Sequence, residues 1–433
     1  NDAMSARRPG ARRTRQVACF IATFLLAGCT QSGNDATEAV PEPLQLAAAP
    51  GSAQPHLATG GNDDLVLSWL EPAGDASALR YSTLVDGAWR QPSTLTTGTD
   101  WFVNWADFPS VVPIDDETWA AHWLEKREGG TYAYDIAVAI SRDAGGSWSR
   151  SFVPHRDGTA TEHGFVTLFP VDGRPAALWL DGRNTSPDDG HDHGGGGGGG
   201  AMTLRSASFG ETAASSMPAI LDEALADERV CDCCQTDVAI AGATPVAVYR
   251  NRSETEIRDI FVTRWIDGGW TEGIAVAHDG WEIAGCPVNG PAIAADGENI
   301  AVAWFTAANN EPRVRYAVST DGGRSFAAAT DVNAVDALGR VDVVLLDDQT
   351  AVVSYLKKMD AGAAAVVLRS MGFDGTAGEP KTIAVTSAGR MAGFPQLARH
   401  ADRLVLAWTD SEGSATRVRS AALAIDGLPR PAL

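Results

Sequence analysis

Positive charge is scarce in this chain. Lys and Arg number 34 against 55 Asp and Glu, a formal net charge of -21 over 433 residues. So acidic a balance excludes the phosphate-neutralising surface of a nucleic-acid binder; it speaks for solubility and names no other partner. Long apolar runs are missing as well. The run near the N-terminus, VACFIATFLLAG at residues 17–28, has a dozen residues, too few to cross a bilayer as a helix. Helix-period stretches are almost absent, with ILDEALADERV at residues 220–230 the single short candidate. Cysteine is sparse: six residues, two of them, Cys19 and Cys29, close to the N-terminus.

The first residues read as separable from the fold. Asn1, Asp2 and Ala3 precede Met4 as an added remnant, and Arg7, Arg8, Arg12, Arg13 and Arg15 form a basic stretch ahead of the apolar run. That order is the pattern of a secretory signal peptide. It ends in LAGC, from Leu26 to Cys29, which resembles the bacterial lipobox. The resemblance implies removal of residues 1–28 and lipidation of Cys29, giving an exported protein held in the bacterial envelope (periplasm or outer membrane) that meets the membrane only through its lipid. Residues 29–50 are small, polar and Pro-containing, and read as a flexible tether ahead of a single domain at 51–433.

Strand signal dominates from Pro55 onward, and it repeats. Apolar runs close on an aromatic seven times: LVLSW (Trp69), WAAHW (Trp123), AALW (Trp179), VAVY (Tyr249), AVAW (Trp304), VVSY (Tyr355) and LVLAW (Trp408). The spacings are 54, 56, 70, 55, 51 and 53 residues; the long one holds the glycine tract at 194–200, a loop insertion. A short strand precedes each aromatic, often opened by Pro as in FPSVV and FPQLA, and a third strand, a turn and a weaker fourth follow. Four short antiparallel strands at this period are the signature of propeller blades. One blade cannot cover both its faces, so the frames predict an all-β propeller of seven four-stranded blades stacked round an axis. The last frame lacks a convincing fourth strand. PLQLAA at residues 43–48 is apolar enough to supply it and close the ring.

Two turns between third and fourth strands share a phrase, SRDAGGSW at residues 141–148 and STDGGRSF at 319–326. Ser and Asp side chains bond turn backbone, Gly takes positive φ, and the closing aromatic packs beneath. Both stretches resemble the Asp-box, S-x-D-x-G-x-[ST]-[WF], of the sialidase superfamily. The resemblance spans nearly the whole chain beyond residue 50 and implies a β-propeller, usually of six blades there, against the seven counted here. It also implies that these turns lie on the face opposite an active site, so the motif speaks to fold and hardly to chemistry.

The opposite face, made by the loops between strands two and three and by those joining blades, is chemically richer. Its loops carry Trp101, Asn104, Trp105 and Asp107; Glu162 and His163; Trp281, Glu282 and Asn289; Arg340 and Asp342; and Arg390. Glu125, Asp181, Arg183, Arg250, Arg252, Lys357, Lys358 and Asp410 follow the aromatic strands. Guanidinium forks match a carboxylate bidentately, and aromatic plates suit a sugar. Arg183, Arg252, Arg340 and Arg390, with Trp105 and His163, are therefore the candidate ligand-binding residues. Loop-anchoring salt bridges are the competing role for the arginines. The sialidase resemblance implies an arginine triad, a Tyr activated by Glu as nucleophile and an Asp acid/base. Asp107 is the candidate for the last, no Tyr–Glu pair stands out, and the N-terminal Arg motif of that family is missing from PEPLQLAAAP and QPHLA. Tyr249 and Tyr355 fall in the repeat's core register.

Cys231, Cys233, Cys234 and Cys286 open consecutive frames, which puts all four together on this face. Two readings stand: disulfides, with Cys286 bridging to the cluster, or a thiolate site for Zn or Cu(I). His163 is a further candidate ligand there, while His191 and His193 on the glycine tract read as solvated low complexity. The resulting expectation is a monomeric propeller whose channel mouth binds a glycan or another small carboxylate-bearing ligand, with no cofactor required. The alternatives are an exo-sialidase-type glycoside hydrolase and a non-catalytic protein-interaction platform.

Overall fold

Each aromatic of the repeat falls on the second strand of an antiparallel sheet. In the computed structural model, which describes residues 40–60, 64–185, 200–212, 215–412 and 415–431, there are seven such sheets. Their first strands are Ala53–Thr59, Ser110–Pro113, His163–Val171, Asp237–Ala241, Ala292–Asp296, Ala337–Leu345 and Gln396–His400, opening blades 1 to 7 in chain order. Residues from all seven line one central channel of about 610 Å³. The seven-bladed propeller expected from the spacing is what forms. Blade 2 is the thinnest, with three strands and a single bridge from Phe152 to Val138 where its fourth would run.

The packing explains why the blades need each other. The buried apolar side chains fall into seven clusters, each shared by two neighbouring blades. Trp69, Leu65 and Leu67 of blade 1 meet Ala398, Val405 and Val418 of blade 7, so the ring is closed by the same burial that holds every other interface. Blade 7 takes its outer strand from the other end of the chain: Glu42–Leu44 pairs with Ala415–Ala424, Pro43 opposite Ala421. The propeller thus reaches into the stretch expected to be tether, and Ala48 is buried within it, so its boundary lies ahead of residue 51. Residues 1–39, with the lipobox cysteine Cys29, lie outside the described residues, as does the His191/His193 tract.

One expectation of local structure is overturned. The stretch at 220–230 is no helix; Ser215–Asp227 is the long outer strand of blade 3, paired with Thr203–Thr212. Its apolar residues satisfy a strand in a sheet as well as a helix face, and tertiary pairing decides.

Five of the seven repeat aromatics bond through the indole or phenol tip, whereas Trp408 Nε1 is buried without a partner among the described residues. Nε1 of Trp69, Trp123 and Trp179 donates to Glu71, Glu125 and Asp181 two residues along, Trp304 donates to Asp279, and the Tyr249 hydroxyl donates to Asp227. A buried aromatic so keeps its polar atom satisfied at the sheet end. Glu125 and Asp181, placed by the sequence on the ligand face, are held in this structural role.

The two repeated turns share their Ser and Asp side-chain bonds. Ser141 Oγ accepts from the Gly145 amide at 2.9 Å and donates to Asp143, whose carboxylate takes the amide and hydroxyl of Ser147, each at 2.7 Å. Ser319, Asp321, Gly323 and Ser325 repeat the pattern. The Ala144 amide bonds Glu117 O and the Gly322 amide bonds Glu298 O, which puts these turns beside the hairpins between strands one and two. The blade-joining loops gather at the other end, where Phe102 and Leu124, for example, bond across.

Candidate functional site

The loop joining blades 1 and 2 runs over the channel mouth, and two of its side chains organise the site. Trp105 lies parallel to Phe394 with ring centroids 5.9 Å apart. The guanidinium carbon of Arg340 sits 4.9 Å from its ring centroid, and that of Arg390 sits 5.9 Å from it. Arg340 is buried; its Nη1 donates to the carbonyls of Gly389 (2.9 Å) and Gly393 (3.2 Å), and its amide bonds Asn289 Oδ1 at 2.7 Å. Among the described residues no carboxylate pairs with either guanidinium. Burial, then the charge of Arg390, lowers the Arg340 pKa to about 10. An uncompensated pair of cations packed on an indole face is held together by quadrupole attraction and carbonyl bonds, and it favours an incoming anion.

Two residues on, Asp107 is 2 % exposed and accepts from the Phe165 amide (2.8 Å) and the Tyr134 hydroxyl (2.9 Å). The same hydroxyl lies 2.7 Å from Glu162. One phenol proton cannot serve two carboxylates, so a second proton must reside on one of them. Burial raises Asp107 to about 7, although the Phe165 and Tyr134 bonds act against the rise. Burial raises Glu162 to about 8, with the Tyr134 bond opposing and Asp107 and Asp232 adding. Tyr134 itself is driven far upward by burial and by these two neighbours, and it stacks on Phe102 at 4.0 Å. Gly164 makes the cluster possible: a Cβ there would fall 2.0 Å from Asp107 Oδ2.

His163, next to Glu162, belongs to a different constellation. Its Nε2 faces Asp157 at 3.1 Å, and its Nδ1 faces the carbonyls of Thr161 (3.2 Å) and Tyr134 (3.4 Å). All are acceptors, so both nitrogens carry protons and the ring is an imidazolium. Burial opposes that charge, but the Asp157 bond and the carboxylates of Asp181, Asp157 and Asp135 raise the pKa in spite of it. His155 stacks on it, centroids 3.7 Å apart and planes 4° from parallel, and shares Asp157 at 3.0 Å. Lone pairs of two parallel rings lie in separate planes, which suits one shared proton acceptor far better than one metal ion. Burial lowers His155 to about 4, so the stack carries a single charge.

The sequence-nominated arginines divide. Arg340 and Arg390 meet at Trp105. Arg183 is occupied by Asp181 (2.7 Å) and Glu223 (2.8 Å), and Arg252 by Asp232 (3.0 Å) and Glu256 (2.8 Å), neither touching the Trp105 group. These two have the loop-anchoring role weighed against binding. Arg250 is wholly internal, bonded to the carbonyls of Asn289, Arg258 and Phe305. Asp107, the acid/base candidate, meets Tyr134 and through it Glu162, a pairing the sequence did not single out. Tyr134 opens the third strand of blade 2, Tyr134–Ser141, and a strand's first residue on that side faces the joining loops; this register was the available signal.

The cysteines gather as their frame positions require. Cys233 and Cys286 form a disulfide across 53 residues, tying the loop into blade 4 to the loop into blade 5. Cys231 and Cys234 are free and buried, their sulfurs 3.1 Å apart. The disulfide takes two sulfurs out of any thiolate set for Zn or Cu(I). His163, the further candidate ligand, turns to Asp157 instead.

No family profile and no curated protein matches the chain. Among solved structures, a protein of unknown function from Dyadobacter fermentans is similar at TM-score 0.50 and 12% identity, over 90% of this chain and 98% of that one. An α-L-arabinanase from Penicillium chrysogenum gives 0.47 and 11%, covering 90% and 99%; a Trypanosoma rangeli sialidase gives 0.46 and 10%, covering 78% and 56%. Sialidases, an arabinanase and a polysaccharide lyase thus stand among the neighbours of this propeller, and at such identities the likeness is one of fold.

Proposed function

We propose that the protein binds a carboxylate-bearing carbohydrate at the channel mouth, with Arg340 and Arg390 on the carboxylate and Trp105 and Phe394 as the apolar plate. The observation that carries this is the pair of guanidiniums on one indole without an acidic partner among the described residues. Arg340 is buried and Arg390 exposed beside it, and a buried cation in that state is stabilised by an anion from outside. Calorimetric titration with free sialic acid and with a neutral hexose tests it. Uptake of the acid sugar alone, weakened at least about tenfold by Arg390→Ala, supports the reading. Equal uptake of both sugars, or indifference to Arg390→Ala, overturns it.

A second reading, glycoside hydrolysis, is favoured by one further observation. Tyr134 lies between Glu162 and Asp107, a phenol hydrogen-bonded to two carboxyl groups of raised pKa, which is the composition a tyrosine nucleophile with a base and an acid requires. Tyr134 is fully buried, so the reaction needs Phe102 to move. Release of fluorophore from a fluorogenic sialoside, abolished by Tyr134→Phe with sialic acid binding retained, selects this reading; binding without release selects the first. Export and lipidation at Cys29 belong to the same proposal. Incorporation of labelled fatty acid in a bacterial host, lost in Cys29→Ala, tests them.

A further inference from the structure

The sequence Cys-Asp-Cys-Cys leaves two sulfurs over. Cys233 is committed to Cys286, and the remaining pair, Cys231 and Cys234, stands three residues apart at the entrance to blade 4. We propose that Cys231 and Cys234 are a dithiol that hydrogen peroxide oxidises to a second disulfide, with Cys231 as the attacking sulfur.

Four observations carry this. The two Sγ atoms are 3.1 Å apart, nearer than unbonded sulfurs ordinarily rest, so closure needs little backbone movement. Arg258, itself buried, donates from Nη1 to Cys231 Sγ at 3.2 Å and is held in place by Glu256 at 2.8 Å. A guanidinium aimed at one sulfur of a pair marks that sulfur as the thiolate and leaves the other to supply the S–H. Burial works against a thiolate at Cys231, but the Cys234 S–H bond and the charges of Arg258 and Arg250 outweigh it, whereas Cys234 is raised by burial and by Cys231. Lastly, the two residues are 1 % and 2 % exposed, which shuts out a protein disulfide and leaves a small reagent as the oxidant. The same geometry disfavours zinc: two sulfurs remain where Zn takes four ligands, and a cation already points at one of them.

The chemistry balances. Cys231 thiolate attacks one peroxide oxygen; the O–O bond breaks, an S–O bond forms, and the departing hydroxide takes a proton as water. The product is a sulfenic acid. Cys234 sulfur then attacks Cys231 Sγ, the S–O bond breaks, and the leaving hydroxide carries away the Cys234 proton as a second water. Two thiols and one peroxide become one disulfide and two waters, the two electrons coming from sulfur.

The test uses the full chain, treated with hydrogen peroxide, quenched with catalase, unfolded in an alkylating reagent and mapped by mass spectrometry. Before peroxide both residues should be alkylated; afterwards the peptide bearing them should carry neither label and be lighter by two hydrogens. In Cys234→Ser, dimedone should trap a sulfenic acid at Cys231. In Cys231→Ser, Cys234 should react at least about tenfold more slowly than Cys231 does. Labels that survive peroxide, equal reactivity of Cys234 in Cys231→Ser, or a bond present from the start and closed to dithiothreitol in the folded protein each overturn the proposal. Should a serine variant not fold, the wild-type rate decides. It should level off above about neutral pH, and a rate that keeps climbing to about pH 9, as for an ordinary thiol, counts against Cys231.

Discussion

Arg340 and Trp105 stack across the channel mouth, 4.9 Å from guanidinium carbon to ring centroid, although they come from loops more than two hundred residues apart in the chain. The indole is thereby a floor for one cation and an edge for another, Arg390. Trp105→Phe keeps a smaller face and should retain binding of an acid sugar. Trp105→Ala removes it, and should cost about 1–2 kcal/mol of stability together with most of the affinity. Thermal unfolding and calorimetry on the two variants check this; equal losses would mean that an aromatic face as such holds neither cation.

The Asp107–Tyr134–Glu162 cluster makes stability depend on pH. Asp107 rises from 3.8 to about 7 and Glu162 from 4.5 to about 8. The folded protein holds these protons more tightly than the unfolded chain does. Their contribution is therefore whole below about pH 4 and is lost as pH climbs through 7 and 8. The thermal midpoint should fall between about pH 5 and pH 9, and the double variant Asp107→Asn, Glu162→Gln should flatten that fall by a few degrees. An unchanged profile in the variant would place the titration elsewhere.

The repeated turns titrate the other way. Asp321 is held down to about 2: burial opposes, but the bonds from Ser325, Ser319 and Arg324 prevail. This contribution is present above the ordinary carboxylate range and disappears as pH falls through about 2. Asp321→Ala should lower the thermal midpoint at neutral pH and blunt the acid limb, while leaving sugar binding at the opposite face unaltered. A change in affinity would contradict the separation of the faces.

The blade aromatics divide into ring and tip. Trp304→Ala should cost about 3–5 kcal/mol, read as a shift in denaturant midpoint. Trp304→Phe, which keeps much of the apolar volume and loses the Asp279 bond, should cost roughly 1–2 kcal/mol. Equal costs would show that the indole nitrogen, not the buried ring, holds blades 4 and 5 together.

Loss of the Cys233–Cys286 bond by Cys286→Ser should destabilise by about 2–5 kcal/mol, the range for a crosslink closing a loop of this size. Chemical denaturation of the wild type and variant measures it.

Much of this was legible in the residues, for a physical reason. A blade cannot shield its own faces, so it repeats, and repetition shows in one sequence: Trp69 to Trp408 mark seven second strands without exception. The Ser141 and Ser319 turns were legible because their side chains bond within eight residues. Tyr134 was not, since its partners Asp107 and Glu162 lie 27 and 28 residues away on other loops. Nor was the split among the arginines, because Arg183 and Arg340 differ in nothing local; what differs is the nearness of Glu223 to one and of Trp105 to the other. The strand at 215–227 misled because its apolar spacing fits either period, and its pairing partner stands across a hairpin.

Glu42–Leu44 lies along the rim of blade 7, fastened by its ladder and by the Glu42–Arg403 ion pair. Pulled along its own axis, this strand loads its backbone bonds together, in shear; pulled across that axis, it unzips them one by one. Load along the axis therefore falls first on the seam that joins the two ends of the ring.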